Sequence, residues 1–125
     1  MVIHQSAEDY LEVIHVLRKR LGVVRSIDIV NEMHFSKPSV SVAMKKLRES
    51  GHILTDEEGY ITLTELGLQV AERIYERHQL LTAVLVSLGV SPEVAAADAC
   101  KIEHDLSEET FACLKAHVER YGSKQ

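Results

Sequence analysis

Hydrophobic positions recur with two different periods along this chain, and the changes of period mark out its elements. Over residues 8–21, Tyr10, Ile14, Leu17 and Leu21 recur at helical spacing, and Gly22 stands where a helix would stop. Ser26 can cap a short helix carrying Ile27, Ile29, Val30 and Met33, and His34-Phe35 reads as a tight turn. Ser36 can cap a third helix. Its first turn tolerates Pro38, because no intrahelical N–H is needed there. Val40, Ala43, Met44 and Leu47 form the apolar stripe of that helix, and Gly51 ends it.

Two short β-like runs follow. His52–Thr55 and Tyr60–Leu63 flank Asp56-Glu57-Glu58-Gly59, the pattern of a small hairpin. Helical spacing returns from Thr64 to about Leu88, with Leu66, Val70, Ile74, Leu81 and Leu85 on one side and Gly89 at the end. Ser91-Pro92 opens a further helix, expected to reach Asp105. Ser107 caps a last one, with Phe111, Leu114 and Val118 as its buried stripe and Gly122 beyond it.

Helix, short helix, turn, helix, hairpin is the order of a winged helix-turn-helix. The expected fold is mainly α: a winged helix-turn-helix over residues 1–63, then a helical region over residues 64–125. In such a motif the second helix enters the major groove of DNA. The candidate DNA contacts are Arg25, Ser36, Lys37, Pro38, Ser39, Ser41, Lys45 and Lys46. The lysines can neutralise phosphates, Ser39 and Ser41 can donate to phosphate oxygens, and Pro38 can meet a thymine methyl. A basic face that is merely solvated fits the charge equally well, so it is the whole order of elements that favours DNA. The wing tip, Asp56-Glu57-Glu58, is acidic and unsuited to a phosphate.

Composition bounds this picture. A chain of 125 residues, 46% hydrophobic, fits one compact domain or two small ones. No apolar window is long enough to span a membrane, and the start MVIHQSAEDY lacks the basic and apolar regions of a secretory signal. Cys100 and Cys113 read as thiols in a reducing cytoplasm, the expected location. The net charge of −5 argues against a nucleic-acid partner until its distribution is considered. Residues 18–50 carry +5, residues 1–17 carry −3 and residues 51–125 carry −7. A basic third therefore sits beside an acidic remainder that can hold cations.

The acidic part contains candidate metal ligands. Asp9 and Glu12 are three apart on the first helix and share a face. Cys100, Glu103 and His104 are spaced i, i+3, i+4 and also share a face, and His78 lies on the long helix. Imidazole, carboxylate and thiolate on facing helices can enclose a divalent cation. Each piece also fits a plainer role: Asp9 and Glu12 as first-turn acids, Cys100 as a small buried hydrophobe, His78 as a surface residue. Spacing leaves both readings open. His15 is three residues from Glu12 but lies to the side of its face, and neither it nor His4, His34, His52 or His117 is assigned as a ligand.

Several segments are familiar in sequence. Ser-Ala-Glu-Asp-Tyr-Leu-Glu-x-Ile at 6–14, Phe-Ser-Lys-Pro-Ser-Val-Ser at 35–41 and Leu-Thr-Glu-Leu-Gly at 63–67 resemble the diphtheria toxin repressor family. So do Glu-Arg-His-Gln-Leu-Leu at 76–81 and Ile-Glu-His-Asp-Leu-Ser at 102–107, and the resemblance runs in order over almost the whole chain. It implies a homodimeric, metal-dependent repressor that binds palindromic operator DNA when Mn(II) or Fe(II) is bound, with Co(II) or Zn(II) as substitutes in vitro. It also implies that residues 64–125 form a metal-binding and dimerisation domain. Carried over by position, the metal ligands are Asp9, Glu12, His78, Cys100, Glu103 and His104. Asp9 matches the manganese-responsive branch, where the iron-responsive branch has methionine; Cys100 matches the iron-responsive branch, where the other has glutamate. Thr82 and Ala96 replace two ligands of that branch's ancillary site, and 125 residues leave no room for its third, SH3-like domain.

Two other readings compete. One is a winged-helix regulator that does not sense metal and uses the polar cluster structurally. The other is a metallohydrolase, which the sequence disfavours. It shows no Gly-rich phosphate loop, no Ser/His/Asp constellation and no general base beyond the candidate ligands. The chain is therefore expected not to be an enzyme.

Overall fold

The computed structural model describes residues 5–121, so His4 and Gly122 lie outside the described residues. The elements in chain order are α1 (Gln5–Leu21), α2 (Ser26–Met33), α3 (Lys37–Glu49), β1 (Ile53–Thr55), β2 (Ile61–Leu63), α4 (Glu65–Ser87), α5 (Pro92–Ile102) and α6 (Glu108–Tyr121). They form two compact units, Met1–Arg73 and Ile74–Gln125, which divide within α4.

The first unit is a helix-turn-helix with a hairpin. Leu11, Ile14 and Leu17 of α1 are buried with Val24, Ile29, Val40, Met44 and Leu47. Ile53 and Ile61 of the hairpin and Val70 and Ala71 of α4 complete this core. Leu21 ends α1 instead of extending its stripe, and is 48% exposed. Gly22 follows with φ +87, and its N–H reaches back to the Arg18 carbonyl at 2.9 Å.

α2 differs from expectation at its start. Ser26 is its first residue, and Arg25 is the N-cap. The Arg25 N–H donates to Asp28 Oδ2 at 2.8 Å, so the third residue of the helix supplies the cap. His34 ends α2 in the left-handed region (φ 59, ψ 34), and Ser36 then caps α3, its Oγ accepting from the Ser39 N–H at 3.2 Å.

β1 and β2 are antiparallel, pairing Ile53 with Leu63 and Thr55 with Ile61. Asp56 organises the turn by accepting the N–H groups of Glu58 and Tyr60. Behind the hairpin, the Thr64 hydroxyl donates to the Gly51 carbonyl at 2.7 Å, and the Thr64 N–H donates to the His52 carbonyl. α4 starts so close to the residue before β1 that a Cβ on Gly67 would sit 2.0 Å from the His52 carbonyl oxygen. The buried face here is Gly67, Val70, Ala71 and Ile74. Leu66 therefore falls off the stripe and is 48% exposed. His52 is buried, shares a 2.7 Å hydrogen bond between its Nδ1 and Ser50 Oγ, and has its pKa pulled below the usual imidazole value by burial.

The second unit buries Ile74, Leu81, Ala95, Ala99 and Phe111. Gly89, at φ +104, follows α4, and the Ser107 hydroxyl caps α6 by accepting from the Thr110 N–H at 3.0 Å. α5 stops at Ile102, three residues before the expected Asp105, and residues 103–105 form a turn. No helix among the described residues is long and apolar enough to cross a membrane.

Candidate metal centre and nucleic-acid interface

The early end of α5 changes how the candidate ligands are presented. Cys100 lies in the helix and is exposed. Glu103 is the C-cap, completely buried, and His104 lies half-buried in the turn that follows. A turn therefore places Glu103 and His104, where the spacing suggested a continuous helical face. The exposure of Cys100 also removes its reading as a buried hydrophobe.

His78 projects from α4 to the same place. Its Nδ1 lies 2.9 Å from Glu103 Oε1, and its side chain is 27% exposed. The other carboxylate oxygen, Glu103 Oε2, is buried without a hydrogen-bond partner among the described residues. Burying an ionised carboxylate is costly unless its lone pairs are filled. One imidazole fills one oxygen, and the second oxygen suits a cation. An imidazole beside a carboxylate offers donors for divalent ions from Mn(II) to Zn(II). These residues fit the metal that the resemblance implies. In the first unit, Asp9 and Glu12 are both half-buried on α1.

Two buried charged residues, Glu8 and Arg77, lie within the segments 6–14 and 76–81 but are not among the candidate site residues. Glu8 is buried and accepts from Arg73 at 3.0 Å within the first unit. Arg77 is only 4% exposed. Its Nη1 donates to the Glu103 carbonyl at 3.1 Å and to the Leu106 carbonyl at 2.7 Å, and its Nη2 donates to Glu108 Oε1 at 2.9 Å. Register is the signal that marks it: Arg77 falls on the apolar stripe between Ile74 and Leu81, where a guanidinium needs buried acceptors.

The eight candidate DNA contacts are all exposed. Lys37, Lys45 and Lys46 form no ion pair among the described residues, which leaves their charges available to phosphates. Ser36 Oγ donates to Ser39 Oγ at 2.8 Å, stiffening the start of α3 beside the exposed Pro38 and Ser41. Arg25 stacks over the Tyr60 ring at 4.4 Å, which holds its guanidinium beside the hairpin. Asp56, Glu57 and Glu58 are exposed at the wing tip.

Comparison with known proteins is consistent along the chain. Residues 3–64 match the N-terminal DNA-binding domain of iron-dependent repressors, and residues 64–123 match their metal-binding and dimerisation domain. The chain is 35% identical over 117 residues to the transcriptional regulator MntR of Escherichia coli O6:H1, spanning 94% of this chain and 76% of that protein. It is 32% identical to an uncharacterized HTH-type transcriptional regulator of Methanocaldococcus jannaschii, over 96% of this chain and 98% of the other. A solved manganese-dependent transcriptional repressor in complex with manganese superposes with a TM-score of 0.82 at 29% identity, over 90% of this chain. The present chain covers 52% of that longer structure.

Proposed function

The chain belongs to the iron-dependent repressor family of metal-dependent transcriptional regulators, and from that premise we propose that it represses manganese or iron uptake genes. It does so as a homodimer on palindromic operator DNA, in the cytoplasm, when a divalent metal is bound. It is a regulator and not an enzyme, as its relatives are.

The proposed ligands are His78, Cys100, Glu103 and His104 with Asp9 and Glu12. One observation carries the metal reading: the buried Glu103 carboxylate, with one oxygen on His78 and the other without a partner among the described residues. The family resemblance supports the remaining ligands. A bound cation supplies the positive charge that offsets these carboxylates. The ligand set draws on both domains of the family. Filling it couples the DNA-reading helices to the dimer and favours one half-site spacing. Lys37, Lys45 and Lys46 then neutralise phosphates, while the start of α3, with Pro38, Ser39 and Ser41, addresses the groove. Arg25 and Ser36 add contacts at its approach. The carboxylates favour Mn(II) and the Cys100 thiolate favours Fe(II), with Co(II) or Zn(II) able to substitute.

The test is operator binding at fixed salt, titrated with Mn(II), Fe(II), Co(II) and Zn(II) against a chelator. Tightening by metal supports the proposal. Equal affinity with chelator would establish the metal-independent winged-helix reading instead.

A further inference from the structure

We infer that Arg77 is a positioning residue for the metal centre, setting the turn that carries Glu103 and His104; this rests on the metal-regulator reading above. Consecutive residues of α4 grip the same residue from two sides. His78 holds the Glu103 carboxylate at 2.9 Å, and Arg77 holds the Glu103 carbonyl at 3.1 Å. Glu103 is the C-cap of α5, so its carbonyl has no partner within the helix. A guanidinium there satisfies that oxygen and complements the negative end of the helix dipole.

The same guanidinium nitrogen reaches the Leu106 carbonyl at 2.7 Å, and its neighbour reaches Glu108 Oε1 at 2.9 Å. The three acceptors span the whole connection from α5 to α6. Phe111 lies under the guanidinium, 5.2 Å from ring centroid to Cζ, which further fixes its plane. The buried Arg77 therefore sets the backbone of residues 103–106, and with it where the carboxylate of Glu103 points. Lysine cannot reproduce this: a point ammonium on a flexible stem lacks the planar fork that reaches three acceptors at once. Groups that orient ligands without touching the metal typically account for about 10- to 100-fold in metal affinity.

The experiment uses the full chain with Co(II) as probe, following both affinity and the visible ligand-field absorption. The variants are Arg77→Lys, Glu108→Gln and, as a site control, Glu103→Gln. Arg77→Lys is expected to keep its helical circular dichroism, to bind Co(II) about 10- to 100-fold more weakly, and to show a changed absorption band. Glu108→Gln alters only the partner whose side chain is 77% exposed, so it is expected to fold and to weaken binding severalfold with a smaller band change. A folded Arg77→Lys with wild-type affinity and band overturns the inference. If Arg77→Lys does not fold, an unchanged affinity and band in Glu108→Gln overturns it. Wild-type protein that takes up no Co(II) overturns the metal reading itself. Loss of binding in Glu103→Gln alone, with the other two variants at wild-type values, overturns only the role of Arg77.

Discussion

The His78 imidazole and the Glu103 carboxylate meet at 2.9 Å across 25 residues of sequence, one half-buried on α4 and the other wholly buried at the end of α5. This pairing explains why a carboxylate is kept in the interior of the second unit. It also makes the pair the sharpest place to test the metal reading.

Glu103→Gln keeps the volume and one hydrogen-bond acceptor but removes the charge. The variant is expected to fold, to lose metal binding, and to bind operator equally with and without chelator. His78→Ala is expected to behave the same way. Isothermal titration with Mn(II) and a gel-shift series check both, and a retained metal response would remove these residues from the site.

Cys100 is exposed at the last turn of α5, so a longer side chain has room there. Cys100→Glu exchanges a soft ligand for a hard one and is expected to raise Mn(II) affinity relative to Co(II) and Zn(II). Competition titrations measure the ranking. An unaltered order would mean that the thiolate is not a ligand.

Lys45 and Lys46 are exposed and form no ion pair among the described residues. Replacing both with Gln is expected to weaken binding to all DNA sequences alike. It should also reduce the slope of log affinity against log salt by about 2, one for each phosphate no longer neutralised. Fluorescence anisotropy at several salt concentrations reads the slope, and an unchanged slope places these lysines away from the backbone.

Gly67→Ala puts a methyl 2.0 Å from the His52 carbonyl oxygen, a backbone atom that cannot step aside. The expected loss is roughly 1–3 kcal/mol or more, the range for overpacked sites. Chemical denaturation measures it, and an unperturbed midpoint would contradict the close approach of α4 to His52.

His52 makes the first unit sensitive to acid. Burial holds its folded pKa below the ordinary value of 6.5, so below that value the unfolded chain binds a proton that the folded chain resists. Stability is complete above about pH 7 and declines as the pH falls through 6.5 towards the folded pKa. His52→Gln is expected to flatten that part of the curve, leaving the slopes due to His15 and the carboxylates. Denaturant midpoints on either side of that window, at about pH 7.5 and about pH 5.5, give the comparison. Equal pH dependence in both proteins would rule His52 out.

Much of this architecture is legible in the sequence because it is local. The apolar stripe of Val40, Met44 and Leu47, the caps at Ser36 and Ser107, and the turn at Asp56–Gly59 depend on neighbours within one or two helical turns. The cap of α2 departs from expectation for a similarly local reason. Ser26 has the right chemistry, but Asp28 supplies the bond one residue earlier, to the Arg25 N–H. The end of α5 is hard to read because Glu103 keeps near-helical backbone angles (φ −57, ψ −27) as the chain turns away.

The order of elements, the basic exposed face of α3 and the types of side chain available to a cation were determined by the sequence, since helical period, capping and charge are properties of short segments. Only the tertiary structure decided that Glu103 is buried on His78, that Arg77 spans the turn beyond α5, and that α4 approaches His52 closely enough to require glycine. Those outcomes follow from the packing of segments 15 or more residues apart. Burial there removes water, so each carboxylate, guanidinium and carbonyl must find its partner in another part of the chain.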